Sequence, residues 1–417
     1  MVLVVVLWII VILMVVVASM ARTSRIETRA GLSVAEQTRC KWACSAGIEV
    51  GKAVLRDDEK QSDGFEDLWS SANEDFNETP LDRCGFTVAI TDEASKLNVN
   101  TATRKQLLAL PNGTDEIADA IIDWRDEDDK PGPAGAELQY YLKLTNGYPI
   151  RNDKFRTIRE LLLVRGVTAD IFYGEDTNLN GRLDYNEKDR DESLPEDNGD
   201  EVLNLGLIAY LGCYSYDTNK DLEGNDRVNI NSSDENNLVN SLKISRGQAK
   251  WIVENRKENY KSISDLINKN SPKKASNSQG NSNQAQQLDL ETFKKIIDNI
   301  TITDDAIILG RVNVNTASKE VFTALLEGDE SAAQAIINHR QNLSESMQTI
   351  GSLLDVRTLG ISGFKKIANH LTTRSSIFTI KASAVADTTG TQNAAEVVID
   401  RNGQSCRILY QYRGVGI

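Results

Sequence analysis

The chain has 417 residues, with 47 Lys+Arg against 61 Asp+Glu, a formal net charge of −14 and a pI near 4.9. That length accommodates two or three domains of roughly 100–200 residues, and the acidic balance disfavours nucleic acid as a partner. Two histidines 31 positions apart (His339, His370) exclude a His-rich metal site, five scattered cysteines exclude a disulfide scaffold, and there is no G-x-S-x-G, P-loop or paired C-x-x-C, so composition points away from an enzyme.

Residues 1–20, MVLVVVLWIIVILMVVVASM, hold no charged side chain. As a helix they span roughly 30 Å, enough to cross a bilayer and too long for a cleaved secretory signal. Charges then begin abruptly with Arg22, Arg25, Glu27 and Arg29, and no proline occurs before Pro80. A continuous helix of about 55 residues is the simplest expectation, with a break near Gly31 as its alternative. The positive residues follow the span, which the positive-inside rule reads as a cytoplasmic body; either the body stays inside or a basic leader has been lost.

GFTVAITD (85–92) reads as a strand. The block after it contains one template three times: Leu97–Ala102 (LNVNTA), Val228–Ser233 (VNINSS) and Val312–Ala317 (VNVNTA). Each copy precedes a short apolar-periodic helix, a hairpin and a second helix. Val or Ile supplies a β step, Asn satisfies turn backbone, and Thr or Ser caps the helix start. Three such units predict a helix-hairpin-helix-like repeat, and the polar run 270–287 reads as a flexible surface loop. At the far end Phe378, Ile380, Ala382 and Ala384 alternate with polar residues, and Asn402-Gly403 between two β-rich runs predicts a hairpin.

The expected class is therefore α+β. A transmembrane segment (1–20) continues as a helix (21–60), followed by the first part of a small antiparallel sheet (84–99). An inserted α-helical domain (100–375) precedes the C-terminal strands (376–417).

DTNLNGRLDYNE (176–187) matches the calcium-loop template at its constrained positions. Asp176, Asn178, Asn180, Asp184 and Glu187 offer side-chain oxygens, Arg182 its carbonyl, and Gly181 the sharp turn; an Asx-rich solvated turn would look similar. A lone loop suits a structural staple better than a sensor. A second acidic cluster, Asp123, Asp126, Asp128 and Glu137, reads either as another calcium site or as a solvated helix end. The run Asp217-x-Asn219-x-Asp221 lacks the glycine and the closing glutamate. Hairpin backbone can bind DNA phosphates, but Asp115, Glu116, Glu327 and Glu330 stand where phosphates would approach. Cys40 and Cys44 share one helix face at a spacing poor for a disulfide, whereas Cys84 and Cys406 both border strands and could pair.

The apolar opening, DEASKLNVNTATRKQLLAL, AIIDWRDEDDKPGPAGAELQYY, GYPIRNDKFRTIRELLLVRGV and the strands after SSIFTIKAS together resemble the type II secretion system protein K family. The resemblance implies a pseudopilin fold with a large inserted α-helical domain, a minor pseudopilin held in the bacterial inner membrane with its body in the periplasm, and bound calcium. It implies trimming by the prepilin peptidase and a cap on the pseudopilus tip shared with I and J minor pseudopilins, alongside inner-membrane secretion components. It implies no catalytic residues and no small-molecule substrate. The family's basic leader and junction glycine are missing, as a truncated start would explain. No acidic residue lies in the apolar run, which suits a subunit with nothing stacked above it. A membrane-tethered DNA-binding protein of an uptake or pilus system is the alternative.

Overall fold

A single helix, α1 (Val2–Asp57), runs unbroken for 56 residues through Gly31. The computed structural model describes residues 2–58, 61–179, 181–190, 193–195, 197–256, 258–268, 271, 284–402 and 406–414. Among the described residues nothing buries the first part of α1, and its mean hydropathy of 3.4 makes it long and apolar enough to cross a membrane. From Glu36 onward one side turns inward: Cys40, Ala43, Cys44, Gly47, Ile48, Gly51 and Leu55 recur at helical spacing and are buried.

That stripe lies on a five-stranded antiparallel sheet. Its strands, in chain order, are β1 (Thr79–Leu81), β2 (Cys84–Asp92), β3 (Ile377–Ala386), β4 (Gln392–Asp400) and β5 (Arg407–Gly414), and they sit side by side in that order. Alternation places Phe86, Val88, Ile90, Phe378, Ile380, Ala382, Val397 and Ile399 on one face, where they form a core with α1. Gly51 permits the close approach, since a Cβ there would stand 2.8 Å from Ile380 Cγ2. Strand β1, which carries Pro80, adds an edge that the sequence pattern does not announce. Gly403, of the expected Asn402-Gly403 turn, lies outside the described residues, as does most of the 270–287 run.

Between β2 and β3 comes the inserted block, with its own core from Leu97 to Leu371. It contains three similar units. Each opens on a two-residue strand (Leu97–Asn98, Val228–Asn229, Val312–Asn313). A helix pair follows: α2 (Arg104–Leu108) with α3 (Asp115–Arg125), α4 (Glu235–Leu242) with α5 (Arg246–Asn255), and α6 (Lys319–Leu325) with α7 (Glu330–Gln341). Each unit ends on a second short strand, paired parallel to its first: Leu211–Gly212, Ile300–Thr301 and Leu371–Thr372.

The Asn residues of the template tie each unit together. Asn100 accepts from Phe155 N (2.7 Å) and donates to its carbonyl (3.0 Å). Asn231 treats Tyr260 the same way (2.7 and 3.0 Å), and Asn315 treats Met347 (2.9 and 3.0 Å). The last turn of each second helix, or the residue after it, supplies an arginine, Arg125, Arg256 or Arg340, whose guanidinium donates to template carbonyls. The helix caps fall just beyond the template, at Thr103, Asp234 and Ser318, because its last residues are already bonded in the turn.

The two cores meet at a buried polar junction. Asp92, at the end of β2, accepts from Asn313 Nδ2 (3.0 Å) and Thr316 Oγ1 (2.6 Å) of the third unit. Asp63 accepts from Ser375 N (2.7 Å) and from the guanidinium of Arg401, which also bonds Asp58 (2.6 Å).

The pairing of Cys84 with Cys406 is not supported. Cys406 Sγ faces the carbonyl of Lys52 at 3.9 Å, whereas Cys84 Sγ faces Cys40. Lys52 stands twelve residues beyond Cys40, about 18 Å along the helix.

Candidate metal centres

Helix α3 begins with Thr114 accepting from Ile117 N and carries a row of acids toward its C-terminal end. Asp119 bonds Arg104 and accepts from Ala134 N (3.1 Å); Asp123 accepts from Gly132 N at 3.1 Å with both oxygens. These two therefore hold the turn 131–136. Gly135 leaves room for this contact, because a Cβ there would stand 1.9 Å from Asp123 Oδ2 and displace the carboxylate.

The remaining three converge. Asp126, Asp128 and Glu137 each bring a carboxylate oxygen within 4.8 Å of the others. Glu137 is 4% exposed, and among the described residues neither of its oxygens has a hydrogen-bond partner; Asp126 Oδ1 and Asn152 Oδ1 are buried and unmatched there as well. Asn152, with a left-handed backbone (φ +48°), donates to the Asp128 carbonyl (3.1 Å) and to Asp129 Oδ1 (3.2 Å). Burial first, then the charges of Asp123, Asp126, Asp129 and Asp128, push the Glu137 carboxyl up to about 7. Asp126 is raised for the same leading reason. Unmatched buried oxygens beside like charges are what a hard divalent cation relieves, so these residues fit calcium better than a solvated helix end. Asp123, whose charge acts on Glu137, is not one of the three converging groups, since both its oxygens are turned to Gly132 N. Asn152 escapes a motif search, its one sequence signal being an Asn placed where αL backbone is needed.

The second candidate, 176–187, lies beyond a five-residue helix (Ala169–Tyr173) and closes on a single 3₁₀ turn (Tyr185–Glu187). Asp176 and Glu187 are buried at 4% and 1% exposure. Asp176 Oδ2 accepts from Gly181 N (2.9 Å), Asp184 Oδ2 from Asn178 Nδ2 (2.8 Å), and Glu187 Oε2 from Asp184 N (2.9 Å). Gly181 has φ +68°, as the sharp turn demands. Glu187 Oε1 is buried without a partner among the described residues, and burial followed by Asp176, Asp184 and Glu175 raises that carboxyl. Arg182 is exposed, and Asn180 lies outside the described residues. The donor set thus fits a hard cation. Lys381 of β3 donates to Leu179 O (3.1 Å), which ties the loop to the sheet.

Two other acidic groups are already satisfied by cations of the chain. Burial would raise Asp217, but Arg311 and Arg227, each 2.8 Å away, outweigh it and hold the carboxyl at about 2. Asp58, Asp63 and Asp67 also converge; the Arg401 guanidinium bonds Asp58 and Asp63, and Asp67 accepts from Gly64 N (2.8 Å) and Trp69 Nε1 (3.2 Å).

The first and third helix hairpins offer little to a phosphate backbone. Arg104 pairs with Asp115, Lys105 with Glu327 (3.3 Å) and Lys319 with Glu330 (3.3 Å), so acids of the hairpins neutralise nearby cations.

The family described as type II secretion system (T2SS), protein K matches at residues 89–173, under its first-domain description, and again at 312–374. No curated protein matches the chain. A chain in the crystal structure of the GspK-GspI-GspJ complex from enterotoxigenic Escherichia coli is similar at 13% identity and TM-score 0.49, over 92% of this chain and 98% of that one. The first family match holds the converging trio and the second holds the third template and its helix pair, so at both places the chain is similar to type II secretion system protein K.

Proposed function

We propose that the chain is a minor pseudopilin that initiates and caps the tip of a periplasmic pseudopilus, with calcium stabilising its inserted domain. One observation carries the reading. A 56-residue helix, apolar and uncovered over its first part, is packed on a small antiparallel sheet, and the family matches fall mostly in the block carried between β2 and β3. The apolar segment anchors the chain in the inner membrane as a single pass, with the body in the periplasm. The rest of α1 aligns the body with companion helices, and the block between β2 and β3 is too bulky for a position along a shaft. I- and J-type minor pseudopilins and inner-membrane secretion components are the partners, and the role is structural, without chemistry. Calcium at the trio of Asp126, Asp128 and Glu137, and at the 176–187 loop, would supply charge neutralisation only.

Reconstitution tests it. The full chain in detergent, mixed with I- and J-type companions in calcium, should co-elute as one complex; separate elution of all three removes the tip role.

A further inference from the structure

Where α1 lies on β2, Cys40 Sγ stands 3.6 Å from Cys84 Sγ, with both residues almost wholly buried (0% and 2% exposed). We propose that Cys40 and Cys84 are a disulfide-forming pair that staples the long helix to the first main strand of the sheet. Bonded sulfurs lie about 2.05 Å apart, so closure asks for a shift of about 1.5 Å, within the reach of side-chain rotation. The elements that bear them are already packed.

The other thiols are placed differently. Cys44 is four residues from Cys40 on the same helix and donates to Asn393 O (3.3 Å). Cys406 faces Lys52 O, and Cys213 belongs to the inserted core.

The step balances with a disulfide-bearing oxidant, a protein dithiol oxidase or oxidised glutathione. Two S–H bonds and the oxidant's S–S bond break, the Cys40–Cys84 bond forms, and two protons and two electrons leave with the oxidant as a pair of thiols. Burial raises the folded Cys40 thiol to about 11 and keeps thiolate scarce. The bond therefore forms while the chain folds, before α1 closes over β2, and is afterwards shielded from reductants. An oxidising compartment is part of the functional reading above; the pairing itself rests on geometry.

Two preparations separate these. The full chain is purified from membranes in detergent, and a second sample is reduced, unfolded and refolded with a glutathione couple; both are alkylated under denaturing conditions and mapped without reduction. Trypsin cuts after Lys41 and so separates Cys40 from Cys44. The expected result in both is alkylation falling from five cysteines to three, with Cys40 linked to the peptide that begins at Cys84. Cys44→Ala should keep the link, and Cys40→Ala should leave four alkylated thiols. A linked refolded chain beside a reduced membrane sample supports the pairing and refutes only the compartment. Five alkylated thiols in the refolded chain, or a Cys44–Cys84 link in the parent protein, overturn the proposal.

Discussion

The guanidinium of Arg401 bonds the carboxylate of Asp63, a residue 338 positions earlier in the chain. Both are buried, and the same arginine reaches Asp58, donates to Ser375 O and lies 4.8 Å over the Phe378 ring. One side chain thus joins the end of α1, the exit of the inserted block and the end of β4.

Arg401→Met should therefore destabilise the protein by about 3–5 kcal/mol, because it strands buried carboxylates without a counter-charge. The double variant with Asp63→Asn should lose less than the two single losses added together. Denaturant titration of the full chain in detergent measures this; strict additivity would show that the pair is uncoupled.

Glu137 sets a pH dependence. Its folded pKa of about 7 exceeds the unfolded value of 4.5, so the fold favours the protonated acid. That stabilisation is complete below pH 4.5 and disappears as pH rises through about 7. In chelator, melting should fall across this window, and calcium should reverse the loss. Glu137→Gln should flatten both responses; a variant that keeps the full calcium shift would clear Glu137 of any ligand role.

Asp176→Ala separates the second loop from the first trio. At a calcium concentration about one hundred times Kd, a single site adds about 2.7 kcal/mol of stability. The variant should lose that increment while keeping the response that depends on Glu137. Calorimetric titration of the parent and both variants reads the stoichiometry directly, and an unchanged isotherm for Asp176→Ala would discard the loop.

The three template asparagines form a graded series. Asn315 is buried, while Asn100 and Asn231 are half-buried, and each matches both polar groups of one backbone residue. Replacement by Ala should cost about 1–3 kcal/mol, most at position 315, where water cannot replace the lost bonds. Thermal melts of the three variants would give the order, and a greater loss at 100 or 231 would contradict it.

The local parts of this architecture were legible in the residues themselves. The apolar run and the absence of proline announce α1, alternation announces β2 and β3, and the Asn template announces three similar openings. Relationships across hundreds of residues were not legible. Nothing near Arg401 points to Asp63, and nothing near Cys40 selects Cys84 over Cys406. The acidic run at 123–129 shows a surplus of charge, but which carboxylates hold a turn and which converge depends on where the backbone of 131–137 returns. Asp123 is committed to Gly132 for that reason, and Glu137 joins Asp126 and Asp128.

Phe378 pairs with Asp92 across β2 and β3, so the inserted block leaves and re-enters the frame at neighbouring strand ends. Its two attachment points stay a strand's width apart whatever hangs between them. Lengthening a closed loop adds only a slowly growing, logarithmic entropy cost. Lineages can thus enlarge, trim or exchange this headpiece while the rod and its platform keep their shape.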